Sequence, residues 1–157
     1  LLLDRPYDRL FALRLRLTGQ PAEAEDLTQD ICAALPAKLA SYRAQSRVTT
    51  WLYRVAVNAA HDRRRRRATY MKHAEGWGDW EMARQDAIAE AREQHDWLTI
   101  AMSHLSEDLR DTLALVLDDL THAEAAEILG VSEGTISWRM SEAKKRLRAL
   151  KAKEEET

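Results

Sequence analysis

Between Thr49 and Arg67 the chain spells TTWLYRVAVNAAHDRRRRR, and the residue types in that stretch suit a nucleic acid. Trp51, Arg54, Asn58, His61 and Arg65 recur at helical spacing, so on a helix they share one face. That face offers a large ring for stacking, an amide for a base edge and cations for phosphates. Five guanidinium groups in succession follow: Arg63, Arg64, Arg65, Arg66 and Arg67. The spacing puts them at the end of the helix, where cations suit the negative pole of its dipole, but five exceed any capping need. Such a run is either a solvated, disordered tail or a phosphate-binding strip. Its attachment to an aromatic and amide-bearing face favours the strip.

The same helix needs an inner side, and Leu52, Val55, Ala56 and Ala59 supply it at i, i+3, i+4 and i+7. Upstream, the pattern predicts an amphipathic helix over Leu3–Thr18, with Tyr7, Leu10, Phe11 and Leu17 inward and Arg9, Arg14 and Arg16 outward. Gly19 and Pro21 end it and start a second helix from about Ala22 to Leu39. Ala24, Leu27, Ile31, Ala34 and Leu35 form its buried stripe. Asp26, Gln29 and Asp30 lie off that stripe as a polar patch, which spacing alone reads as solubilising surface. Pro36 is expected to kink this helix or end it early. A polar loop, Ser41–Val48, carries Tyr42, Arg43 and Arg47 into the arginine-rich helix.

Periodicity fades over Ala68–Asp96, where Gly76-Trp77-Gly78-Asp79-Trp80 marks a flexible, acidic linker. It returns with Trp97, Leu98, Ala101, Met102 and Leu105. A helix capped by Ser106 then buries Leu109, Leu113, Val116 and Leu117. Thr121-His122-Ala123-Glu124 is a capping box opening a short helix, Gly130-Val131-Ser132 turns the chain, and Ser132 caps a last helix to about Lys151. A short helix, a glycine-containing turn and a second helix make a helix-turn-helix. Ile136, Met140, Ala143, Leu147 and Leu150 face inward on the second helix. Gly134, Trp138, Ser141 and Lys145 face outward, flanked by Thr135, Arg139 and Glu142. Base-reading residues belong near the start of that helix, and Lys144, Lys145, Arg146 and Arg148 can reach phosphates.

Net charge is only −2, from 24 Lys+Arg and 26 Asp+Glu, so the chain is no generic polycation. The basic groups are instead local, in the arginine run and between Arg139 and Lys153. Five Gly and three Pro among 157 residues favour an all-α fold of two small helical domains. The expected boundaries are 1–70, a linker over 71–96, and 97–153. Cys32, the single cysteine, suggests a small buried residue in a reducing compartment. The five histidines show no metal-ligand spacing, no signal peptide or membrane span is evident, and no nucleophile–base pair or phosphate loop suggests an enzyme. No cofactor or metal is expected.

Both halves resemble the extracytoplasmic-function (ECF) sigma factors of bacterial RNA polymerase. Tyr7–Arg67 is similar to their region 2 through LTGQPAEAEDLTQDI and the arginine-rich helix, and Leu105–Leu150 is similar to their region 4 through the helix-turn-helix. The resemblance implies a cytoplasmic transcription initiation factor that binds core RNA polymerase and promoter DNA, under control of an anti-sigma factor and without membrane insertion. It turns Asp26, Gln29 and Asp30 into a surface for the clamp of the largest polymerase subunit. Tyr42, Arg43 and Arg47 become part of a pocket for a flipped-out base. Trp51, Arg54 and Asn58 meet the minus-ten element while Arg63–Arg67 grips the backbone. In region 4, which also touches the polymerase flap, the minus-thirty-five set is Ser132, Glu133, Gly134, Thr135, Ser137, Trp138, Arg139, Ser141, Glu142 and Lys145. Trp138 there suits a thymine methyl or a protein partner, and Glu142 a cytosine amino group. A sigma-like mimic that sequesters an anti-sigma factor is the rival expectation; the five arginines argue against it.

Overall fold

A computed structural model describes residues 12–19, 21–73 and 97–156, with side chains to Tyr70 in the middle segment. Every regular element among the described residues is helical: α1 (residues 12–18), α2 (Pro21–Ser41), α3 (Val48–His73), α4 (Trp97–Met102), α5 (Glu107–Leu117), α6 (His122–Leu129) and α7 (Glu133–Glu155). The expected linker lies outside the described residues except for 71–73, which continue α3. Tyr7, Arg9, Leu10, Phe11 and the Gly76–Trp80 break lie outside them as well.

Local chemistry explains most element ends. α1 stops at Gly19, whose φ of 81° is open to glycine at little cost, and whose N–H donates to the Leu15 carbonyl at 2.6 Å. Pro21 then occupies the first position of α2, where its missing N–H costs nothing. In α6 the Thr121 hydroxyl accepts from Glu124 N at 3.1 Å, and the Glu124 carboxylate accepts from Thr121 N at 3.0 Å. Gly130 closes α6 in the left-handed region, and Ser132 Oγ accepts from Thr135 N at 3.1 Å to open α7. The helix-turn-helix thus forms as the residue pattern predicts.

Several expectations need correction. Pro36 neither ends nor shortens α2, which runs five residues past it to Ser41. Arg14 is buried, not outward, and Cys32 is exposed, not buried. Leu52 is 42% exposed; the inner side of α3 is Val55, Ala56, Val57 and Ala60, so the buried stripe is rotated away from Leu52. The arginine run sits in the body of α3, six residues before its end, so the dipole argument for it does not apply.

The two halves share one apolar core. Leu13, Leu17, Leu27, Val57 and Ala60 from the first half cluster with Met102, Leu105, Leu113, Leu115, Ile128 and Ile136 from the second. α3 packs on α6, and Gly19 comes so near Ser103 that a Cβ there would sit 3.4 Å from the serine Cβ. Thr112 and Asp111 are buried beside Leu109 and Leu113, so α5 is enclosed on nearly every side. The packing of α3 on α6 and the shared apolar cluster tie the halves into a single closed body.

Candidate nucleic-acid interface

The acidic patch of α2 and the arginine run of α3 meet each other. Glu23, Asp26 and Asp30 recur at i, i+3 and i+7 along α2, and Arg63, Arg66 and Arg67 share one side of α3. Arg63 is the hub: Nε lies 2.6 Å from Glu23 Oε2, Nη2 lies 2.8 Å from Asp26 Oδ2 and Nη1 lies 3.2 Å from Asp30 Oδ2. Burial alone would lower the Arg63 pKa, but Glu23, Asp30 and Asp26 more than offset that and raise it. Arg66 adds a bond to Asp30 and Arg67 one to Glu23, both at 3.2 Å. Glu23, absent from the expected site, therefore anchors two arginines. Gln29 is exposed beside them. Arg65 faces solvent, 76% exposed, and pairs with Asp62 one turn back at 2.6 Å.

At the other end of α3 the loop expectation acquires a shape. The Tyr42 and Trp51 rings lie 5.2 Å apart and tilted by 47°, a favourable aromatic contact. Tyr42 Oη donates to the Ser46 carbonyl at 2.6 Å, which pins the ring at the loop base. Ala44, in the left-handed region at φ 57°, makes the sharp bend between them. Arg43 and Arg47 on the same loop are exposed, as are Asn58 two turns further along α3 and the apolar Leu39, Val48 and Leu52. An aromatic wall with cations and apolar side chains at its edge can stack an extruded base.

The α3 residues do not all look outward. Arg54 Nη2 donates to the Glu127 carbonyl of α6 at 2.7 Å, and the Tyr53 hydroxyl donates to Asp118. Arg47 acts on Glu124: the capping hydrogen bonds with Thr121 chiefly lower that carboxyl's pKa, and the Arg47 charge lowers it further. Arg64 lies 2.9 Å from both Glu107 and Asp111 of α5, and His61 Nε2 meets the Asp111 carboxylate. The hydrogen bond to Asp111 raises the His61 pKa above 6.5; burial opposes it, and the Asp111 and Glu107 charges add to it. His61, Glu107 and Asp111 offer donor atoms within 4.8 Å of one another, of the type that binds metals, but the Arg64 guanidinium already supplies a cation to both carboxylates.

On the recognition helix α7, Trp138 is 63% exposed, and Ser132, Glu133, Gly134, Ser137, Ser141 and Lys145 are exposed along the same outward side. Thr135 is half-buried through its cap contact with Ser132. Arg139 turns toward α5, 3.8 Å from Asp108, and Glu142 accepts from Arg146 Nε at 3.3 Å. His122, at the start of α6, has Nδ1 3.2 Å from Ser137 Oγ, a link between the two helices that spacing did not reveal.

Comparison with known proteins places both halves. The family model for Sigma-70 region 2 matches residues 2–70, and that for Sigma-70, region 4 matches residues 95–147. The ECF RNA polymerase sigma factor SigM of Mycobacterium tuberculosis is 30% identical over 154 residues, covering 94% of this chain and 74% of that protein. SigW of Bacillus subtilis, also an ECF RNA polymerase sigma factor, is 26% identical over 160 residues, covering 94% and 85%. Among solved structures, the sigma factor RpoE of Bartonella quintana, in complex with the anti-sigma factor NepR, superposes with a TM-score of 0.68 at 27% identity, covering 96% of this chain and 92% of that one. CnrH in complex with the cytosolic domain of CnrY shares the fold, with a TM-score of 0.61 at 20% identity, covering 95% and 84%.

Proposed function

The chain belongs to the ECF sigma factors of RNA polymerase, and from that premise we propose how its residues divide the work of starting transcription. It is a promoter-specific initiation factor that acts with core RNA polymerase; it is not an enzyme. The observation that carries the residue assignment is the Tyr42–Trp51 pair ringed by exposed cations. Extruding a base costs a few kcal/mol of unstacking, and stacking on an aromatic wall returns about 1–3 kcal/mol per base. Tyr42, Arg43, Arg47 and Trp51 form the wall and rim, and Arg54 and Asn58 continue the minus-ten surface along α3. Arg65 and Arg66, 76% and 68% exposed, hold the backbone first, because Arg63, Arg64 and Arg67 are only 23%, 25% and 34% exposed in the closed molecule.

Asp26, Gln29 and Asp30 present the surface for the largest-subunit clamp, with Arg63 fixing the two carboxylates in place. The outward side of α7 reads the minus-thirty-five element through Trp138, Ser141 and the residues around them, and this half also meets the flap. An anti-sigma factor is the natural regulator, as the similar sigma factor RpoE was solved in complex with the anti-sigma factor NepR. The protein works in the cytoplasm, where polymerase and promoters are; none of the described helices is long and apolar enough to cross a membrane.

A mimic that only sequesters an anti-sigma factor would need neither the Tyr42–Trp51 wall nor an outward Trp138. The clamp assignment is tested with Gln29→Ala combined with Asp26→Asn, which avoids setting a lysine against Arg63. Affinity for core polymerase should fall at least tenfold while the far-ultraviolet circular dichroism spectrum is unchanged. Unchanged affinity would return the patch to plain surface.

A further inference from the structure

His61 and Arg64 leave α3 three residues apart and face α5, where Glu107 and Asp111 leave at i, i+4 spacing toward them. Asp111 is the centre of this group, its side chain only 2% exposed. Oδ1 lies 2.9 Å from Arg64 Nη2, and Oδ2 meets His61 Nε2. Glu107 Oε1 lies 2.9 Å from Arg64 Nη1 and 3.5 Å from His61 Nε2. Nothing in polymerase or promoter recognition calls for a buried aspartate here. Every bond in the group runs between the two halves of the molecule.

Charge balance shows what the group needs. Two carboxylates face one guanidinium in contact, and the Arg110 charge acts on both from farther away. Arg110 of α5 is near, but its guanidinium donates to the carbonyls of Met102, Leu17 and Ser103 and touches neither carboxylate. Asp62, on α3, pairs with Arg65, and Asp108, on α5, lies toward Arg139. His61, whose Nε2 meets the buried Asp111 carboxylate, is the group in this cluster whose hold on a proton is strengthened.

We propose that His61, Asp111, Glu107 and Arg64 form a proton-sensitive latch between the halves, whose release opens the molecule and bares the α3 surface for promoter DNA. Only that last consequence rests on the sigma-factor reading. The closed seam engages Arg54 at the Glu127 carbonyl and Arg64 at Asp111 and Glu107, two groups of the expected minus-ten surface. Opening hydrates Asp111 and takes the anion from His61, whose affinity for its proton then relaxes. The sign follows from the raised pKa in the closed form. Closed-state stabilisation is complete below about 6.5, the ordinary histidine value, and is lost as pH rises through the higher closed-state value. Within that window the opening constant rises by up to about tenfold per pH unit. Outside it the constant is flat. Acidification locks the protein shut, and a more alkaline medium releases it.

The experiment uses the full chain, with dyes on the native, exposed Cys32 and on an introduced Lys153→Cys, to follow energy transfer against pH. His61 is titrated in parallel by its imidazole proton resonance. Transfer should fall as pH rises, with a midpoint above 6.5 that coincides with the His61 titration. His61→Gln, which keeps a donor but cannot take the proton, should flatten the profile, and Glu107→Gln should move the midpoint down. A pH-independent profile, or one unchanged in His61→Gln, overturns the latch. So does a closed state that forms only with added Zn²⁺ and is lost on chelation, since the cation would then be a metal. Promoter run-off transcription by wild type and His61→Gln at one fixed pH separates the two claims. RNA from both with a flat profile overturns the latch alone; a coupled titration without RNA from either overturns the sigma-factor reading alone.

Discussion

Replacing Arg63 with Ala tests whether the arginine run does two different jobs. Arg63 is 23% exposed and contacts Glu23, Asp26 and Asp30, whose side chains are 20%, 52% and 33% exposed. A hydrogen bond to a charged group contributes about 1.5–3 kcal/mol when protected, whereas an exposed pair contributes about 0.2–1 kcal/mol. The half-buried bond to Glu23 falls in the first class, and those to Asp26 and Asp30 fall nearer the second. Removal also leaves three carboxylates side by side, partly neutralised by Arg66 and Arg67. The net cost should be about 2 kcal/mol, or roughly 4–8 °C in Tm for a chain of this size. Arg65→Ala removes only a pair that is 76% and 62% exposed, and should cost at most about 0.5 kcal/mol. Urea unfolding of both variants reads this directly, with an unchanged m-value showing that only stability moved. Holoenzyme binding across a salt series reads the second job. Arg65→Ala should flatten the slope by about one unit, as expected for one lost phosphate contact, and Arg63→Ala should leave it nearly unchanged. Equal destabilisation by the two variants, or a full unit of slope lost from Arg63→Ala at unchanged stability, would refute the division.

Thr121→Ala removes the hydroxyl that accepts from Glu124 N, while the backbone N–H that donates to the Glu124 carboxylate remains, and should destabilise the fold by about 1 kcal/mol, measured as a shift in the urea midpoint. Gly130→Ala forces a side chain into the left-handed region at φ 68°, with no steric contact to relieve, and should cost about 1–2 kcal/mol by the same measurement. Glu142→Ala should alter the preferred minus-thirty-five sequence by about 1–3 kcal/mol at the base it reads, measured on promoters randomised one position at a time. It should leave stability within about 0.5 kcal/mol, since its Arg146 partner is 52% exposed.

The helix-turn-helix was legible because its signals are local. Thr121, Glu124, Gly130 and Ser132 each act within one turn of their own position, so spacing alone carries the geometry. The α2–α3 pairing left a trace that went unread: acids at 23, 26 and 30 match arginines at 63, 66 and 67 in period. Taken one helix at a time, Asp26 and Asp30 look like a surface patch, Glu23 like a helix-start acid, and the arginines like a phosphate strip. Pro36 does not end α2, although it removes one hydrogen bond and brings a clash, because Ala33, Ala34, Leu35, Ala37, Lys38 and Leu39 around it are good helix formers. The seam had no readable signal. His61 and Asp111 are fifty residues apart across the expected linker, and an aspartate between apolar turns looks like any exposed one until α3 covers it.

The most direct measurement of the central claim is transcription from a linear, double-stranded promoter by core polymerase with and without this protein. Addition of the protein should yield RNA from a single start point, and Tyr42→Ala or Trp51→Ala should abolish that RNA on duplex template while sparing a template already unpaired at the minus-ten element. No promoter-dependent RNA, or equal loss on both templates, would contradict the account of α3 as the surface that captures an extruded base.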